Sequence, residues 1–209
     1  MLHPIQITGL VRNGEVHRDV YTSPAIFDHE MTHLFAATWV FVGHASQIPT
    51  IGDFTTTTIG TAPVVMIRHT DKTIHVLHNR CPHKGTRVAN DPCGNTGRFF
   101  RCPYHAWSFR TDGSFAAIPL PTGYAETPFK QSEAAGGMRP VGAVHVYRDF
   151  VFARLNADGM GFEDYFGPSL SSIDNMTTWS IARRKAVWRS PPGYCATCTA
   201  ATGRCWSRI

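Results

Sequence analysis

The chain has 209 residues, of which 43% are hydrophobic, 17% charged and 11% aromatic, the balance of a folded protein whose core needs no help from disulfides. Its formal net charge of +5 is not a property of the body: residues 1–174 carry 14 basic and 15 acidic side chains, and Arg183, Arg184, Lys185, Arg189, Arg204 and Arg208 all follow the last acid, Asp174. Nucleic-acid binding is therefore not expected of the folded part, no apolar run reaches the roughly 18–20 residues of a membrane span, and residues 1–12 lack the order of a secretory signal, so a cytoplasmic protein with no membrane partner is expected.

Ser23-Pro24 opens a segment in which Ile26, Phe27, Met31, Leu34 and Phe35 recur at three- and four-residue spacing, and this predicts one amphipathic helix near the start. Short β-rich runs follow at 39–43, 54–59, 64–68, 74–78, 99–101, 108–110, 144–147 and 150–153, separated by turn residues such as Gly52-Asp53, Asp112-Gly113 and Arg148-Asp149. Many short strands at close spacing predict a mainly β protein built as an antiparallel sandwich or barrel. Residues 162–176 read as a short helix interrupted at Gly167-Pro168. Beyond about Val187 the text turns acid-poor and patternless, and the expectation there is an aberrant or disordered tail.

The chemistry concentrates in the middle. Cys81-Pro82-His83 is followed, after the 18 residues from Lys84 to Arg101, by Cys102-Pro103-Tyr104-His105. Each arm offers one soft thiolate and one imidazole, a donor set for a transition metal. Tetrahedral zinc accepts Cys2His2, but zinc fingers pair their cysteines first and their histidines second. Arms that each mix the two donor types suit two irons instead, one taking both thiolates and the other both imidazoles.

At these residues the sequence resembles the Rieske [2Fe-2S] family. Cys81 to Gly85, Cys93-Gly94-Asn95 and Cys102 to Trp107, with Trp39 to His44, Ile48-Pro49 and Gly52-Asp53-Phe54 upstream, are similar to the Rieske domain in alpha subunits of aromatic ring-hydroxylating oxygenases, over roughly residues 20–180. The disulfide-forming cysteines of respiratory Rieske proteins are replaced here by Thr86 and Tyr104. The resemblance implies that Cys81 and Cys102 hold a buried iron, that His83 and His105 hold an outer one, and that His105 faces an electron acceptor in a neighbouring oxygenase subunit. It also implies a [2Fe-2S] cofactor reduced by a reductase or ferredoxin, with a potential near the low end of the range of about −150 to +300 mV.

The implied division is a leader and helix at 1–37, the Rieske domain at 38–155, the start of a linker at 156–187 and the tail at 188–209. In this family a mononuclear Fe(II), held by two histidines and a carboxylate in a further domain, activates oxygen. No histidine follows His145, so this chain is expected to relay electrons without hydroxylating a substrate unaided. A free-standing Rieske ferredoxin and a zinc-binding interaction module are the alternatives. Cys93 reads as a turn residue outside the ligand set, the other nine histidines as ordinary side chains, and Trp107 and Tyr104 as packing that shields the cluster. Cys195-x-x-Cys198 with Cys205 is too weak a pattern to define a second site.

Overall fold

Apolar side chains on both faces of one strand dictate the layering. In the computed structural model, which describes residues 8–124, 126 and 136–184, the run Pro63–Ile67 is buried throughout, and alternate residues of a strand point in opposite directions. Val65 and Ile67 therefore enter one core with Leu77, Phe100, Trp107 and Phe109. Val64 and Met66 enter a second core with Val42, Val76, Val141 and Val151.

The elements run β1 (Val11–Arg12), β2 (Glu15–Val16), a helical turn Asp19–Thr22 and the helix Pro24–His29, which passes into a wider π turn over Glu30–Leu34. Strands follow as β3 (Val40–His44), β4 (Asp53–Ile59), β5 (Ala62–Arg68), β6 (Ile74–His78), β7 (Cys93–Asn95), β8 (Phe99–Arg101), β9 (Ser108–Arg110), β10 (Phe115–Ala117), β11 (Ala143–Tyr147) and β12 (Phe150–Arg154). Helices Phe162–Phe166 and Leu170–Arg184 close the described part, joined by a 3-10 turn at Gly167–Ser169.

All sheet pairings are antiparallel. The middle sheet has the order β6-β5-β4-β7; the meander β10-β9-β8 contributes to the first core and the sheet β11-β12-β3 to the second. The mainly β, antiparallel architecture matches the sequence expectation. Two details differ. Cys93 is not in a turn but on β7, where it pairs with Thr55 of β4. On the leading helix only Ile26 is fully buried, while Phe27 and Leu34 are exposed, so the segment does not bury the whole apolar face that the spacing predicts. The expected tail and Cys195, Cys198 and Cys205 lie outside the described residues.

Candidate metal centre

Both arms lie between strands at the rim of the first core: Cys81-Pro82-His83 after β6, Cys102 to His105 between β8 and β9. They fold as the same loop. The Cys81 N–H donates to Thr86 O at 2.8 Å and the Gly85 N–H to Cys81 O at 2.9 Å. In the second arm the Cys102 N–H donates to Trp107 O at 2.8 Å and the Ala106 N–H to Cys102 O at 3.0 Å. Each loop turns back through a residue of positive φ four places after its cysteine, Gly85 at 74° and Ala106 at 57°. The histidines do not occupy equivalent places, since His83 is two residues after its cysteine and His105 three.

This geometry sorts the donors by type. The two cysteines are both buried, and the Cys102 thiol is near enough to act on that of Cys81. Burial raises the pKa of Cys81; the backbone N–H groups of His83 and Lys84 act against it, and the Cys102 thiol reinforces it. The imidazoles form a second pair, with ring centroids 4.6 Å apart and planes at 67°. Nδ1 of His83 and Nδ1 of His105 are both buried without a hydrogen-bond partner, an expensive arrangement for polar atoms unless something binds them. Desolvation, with the neighbouring His105 and Lys84, lowers the pKa of His83, the direction that favours a metal ligand. Among the described residues no three His, Cys, Asp or Glu side chains gather closely enough to hold one metal ion.

The surroundings are aromatic. Trp107, 1% exposed, stacks on the His83 ring at 4.6 Å and 4°. Tyr104 lies 3.7 Å from the His105 ring yet is 64% exposed, so it covers that imidazole from one side only. Of the two expected shields, only Trp107 is a buried one.

Sequence reasoning passed over Asn79. Its side chain is buried and ties the loop after the first arm: Nδ2 donates to Ala89 O at 2.7 Å, and Oδ1 accepts from the N–H groups of Val88 at 3.0 Å and Ala89 at 2.9 Å. Its own N–H donates to Pro63 O at 2.9 Å, fastening the arm to β5. An asparagine two residues before a ligand candidate, in a Pro/Gly-poor stretch, was the available signal.

A family model for the Rieske [2Fe-2S] domain matches residues 38–128. The chain carries a Rieske [2Fe-2S] domain. Its relatives include the biphenyl 2,3-dioxygenase alpha subunit of Rhodococcus jostii, 30% identical over 84% of this chain and 37% of the relative. Another is the anthranilate 1,2-dioxygenase large subunit of Acinetobacter baylyi, 32% identical over 86% and 37%. Among solved structures, naphthalene 1,2-dioxygenase from Rhodococcus superposes with a TM-score of 0.73 at 29% identity, over 80% of this chain and 37% of the other. A quaternary ammonium Rieske monooxygenase gives 0.67 at 30%, over 77% and 43%. The chain thus spans little more than a third of the length of the dioxygenase subunits it matches. No helix among the described residues is long and apolar enough to cross a membrane.

Proposed function

We propose that Cys81 and Cys102 hold one iron and His83 and His105 the other iron of a [2Fe-2S] cluster, and that the chain uses it to relay single electrons. The observation that carries the assignment is the separation of four donors into a buried cysteine pair and a half-buried imidazole pair whose Nδ1 atoms are buried and unpartnered. A cluster so held supplies a one-electron reservoir at about −150 to +300 mV. The chain's own groups do the rest: the His83 and Lys84 N–H groups point at the Cys81 sulfur, which stabilises negative charge there, and Trp107 keeps water from the His83 side.

The donor of electrons is a reductase or ferredoxin. The acceptor is the mononuclear iron of an oxygenase catalytic domain, reached across a neighbouring oxygenase subunit from the His105 side. The relatives include a phenylurea N-demethylase subunit and a quaternary ammonium monooxygenase as well as aromatic dioxygenases. A segment shared by such different substrates serves the electron rather than the choice of substrate, and we assign the chain to an oxygenase of aromatic rings because most of these relatives are dioxygenase alpha subunits. A single zinc ion is the poorer account, because among the described residues no three His, Cys, Asp or Glu side chains lie close enough together to hold one metal ion.

Iron and acid-labile sulfide analysis of the purified protein, with electron paramagnetic resonance after reduction, tests the reading. About two irons and two sulfides per chain, with the signal of a mixed cysteine–histidine cluster, are expected. A colourless protein holding one zinc overturns it.

A further inference from the structure

Two of the histidines that read as ordinary side chains stand one turn apart on the leading segment. His29-Glu30-Met31-Thr32-His33 has the spelling H-E-x-x-H, which on a helix sets two imidazoles on one face, as metal ligation needs. Short motifs of this kind recur by chance, and the geometry gives this one its weight.

The two rings meet, with centroids 4.3 Å apart and planes at 40°. Two imidazole nitrogens each about 2.1 Å from one ion are at most about 4.2 Å apart, a span that rings this close can present. His29 ends the α-helical part and His33 lies in the π turn Glu30–Leu34, where the Phe35 N–H donates to Glu30 O at 3.0 Å. Single π turns of this kind are frequent at functional sites. Phe35 and Met31 seat the segment on the turn between β4 and β5, where a Cβ at Gly60 would meet them at 3.3 and 3.4 Å, so the pair rides on supported backbone.

His29 is half-buried and His33 exposed, and neither ring forms a hydrogen bond or ion pair among the described residues. The pair His69 and His75, with centroids 5.1 Å apart, differs: His69 Nδ1 is engaged by Thr111 at 2.6 Å, His69 Nε2 by Thr70 at 3.2 Å and His75 Nε2 by Thr73 at 3.1 Å. Residues 19–37 also contain Asp19, Asp28 and Glu30 and no lysine or arginine, so the local field attracts a cation.

We infer that His29 and His33 chelate a divalent transition-metal ion of the class that imidazole suits, Ni2+, Cu2+ or Zn2+, at a site formed by neither Cys-His arm. Two imidazoles and water complete the coordination, since among the described residues no third His, Cys, Asp or Glu side chain joins them. A catalytic zinc takes three protein ligands, so the assignment is to binding and not to hydrolysis. The ion bridges the junction of α-helix and π turn and braces the leading segment.

The test is calorimetric titration of the untagged, cluster-loaded chain with Ni2+, together with hydrogen exchange of residues 26–35 with and without the ion. One Ni2+ per chain is expected. H29Q and H33Q should each weaken that binding about tenfold or more, because loss of either imidazole removes the chelate, whereas H75Q should leave it unchanged. Exchange at residues 26–35 should slow on adding Ni2+ in the wild-type chain and not in H33Q. Absence of Ni2+ binding, wild-type affinity in H29Q and H33Q, or exchange that ignores the ion overturns the inference. A chain that carries no cluster defeats the electron-relay reading instead; its arms then offer Ni2+ a second site, and the loss of one site in H33Q still decides for the histidine pair.

Discussion

Gly85 and Ala106 are counterparts: each is the fourth residue after a candidate ligand cysteine, and each holds a left-handed backbone, at φ 74° and 57°, that lets its loop return to the cysteine's own peptide. The glycine adopts it at little steric cost and the alanine does not. A Cβ added at Gly85 meets nothing within 4 Å, so Gly85→Ala isolates backbone strain and is expected to destabilise by about 1 kcal/mol. Ala106→Gly removes the corresponding strain and loosens the unfolded chain, and a net gain of about 0.5 kcal/mol is expected. Urea unfolding of the two variants checks the pair; a reversed order of stability would show that the loops are not equivalent.

Asn79 makes the sharpest demand on a single side chain. Asn79→Ala strands two buried N–H groups and one carbonyl, at Val88 and Ala89, for an expected loss of about 2–4 kcal/mol. Because the same residue anchors the first arm to β5, iron content should fall as well. Chemical denaturation with iron analysis measures both, and a variant of wild-type stability would contradict the role.

The cysteines separate by burial. Cys102 is 3% exposed beside Cys81, whereas Cys93 is exposed on β7. Cys102→Ser is expected to abolish iron binding, and Cys93→Ser to retain about two irons per chain. Loss of iron in Cys93→Ser would bring that thiol into the site.

Acid should weaken the fold before any carboxylate titrates. Burial, the largest cause in each case, holds His44, His75 and His78 below the ordinary imidazole value, helped by His69 beside His75 and by Arg139 and Arg80 beside His78. Asp149 opposes the shift at His44, and Asp112 and Asp71 oppose it at His75. The unfolded chain gains protons near pH 6.5 that the folded chain declines. Stability present above that pH is therefore lost as pH falls through about 6.5 toward the lower folded values. The urea midpoint should be lower at pH 5.5 than at 7.5, with a smaller drop in His75→Gln; equal midpoints in the wild-type protein would refute the assignment.

How much of this was readable beforehand depends on how local each feature is. The two Cys-His arms, the helix opened by Pro24 and eight of the strands rest on short-range pattern, and the structure has them within a residue or two of the expected bounds. Strand β7 was missed because Cys93-Gly94-Asn95 has turn composition; pairing with Asp53–Thr55 imposes the extended form. Strands β1 and β2 are two residues each and exposed, too short for any period to register. The left-handed Ala106 had no glycine to announce it. The bracing by Asn79 depends on a loop returning to it from nine and ten residues away.

Each arm completes its hydrogen bonds within six residues, Cys81–Thr86 and Cys102–Trp107. The shape of either socket is consequently indifferent to the length of chain that joins them. Insertions between Asn95 and Arg98, in the link from β7 of the middle sheet to β8 of the meander, would alter the reach of that link while sparing the sockets themselves, so variation among kindred sequences has room to accumulate there without disturbing metal capture.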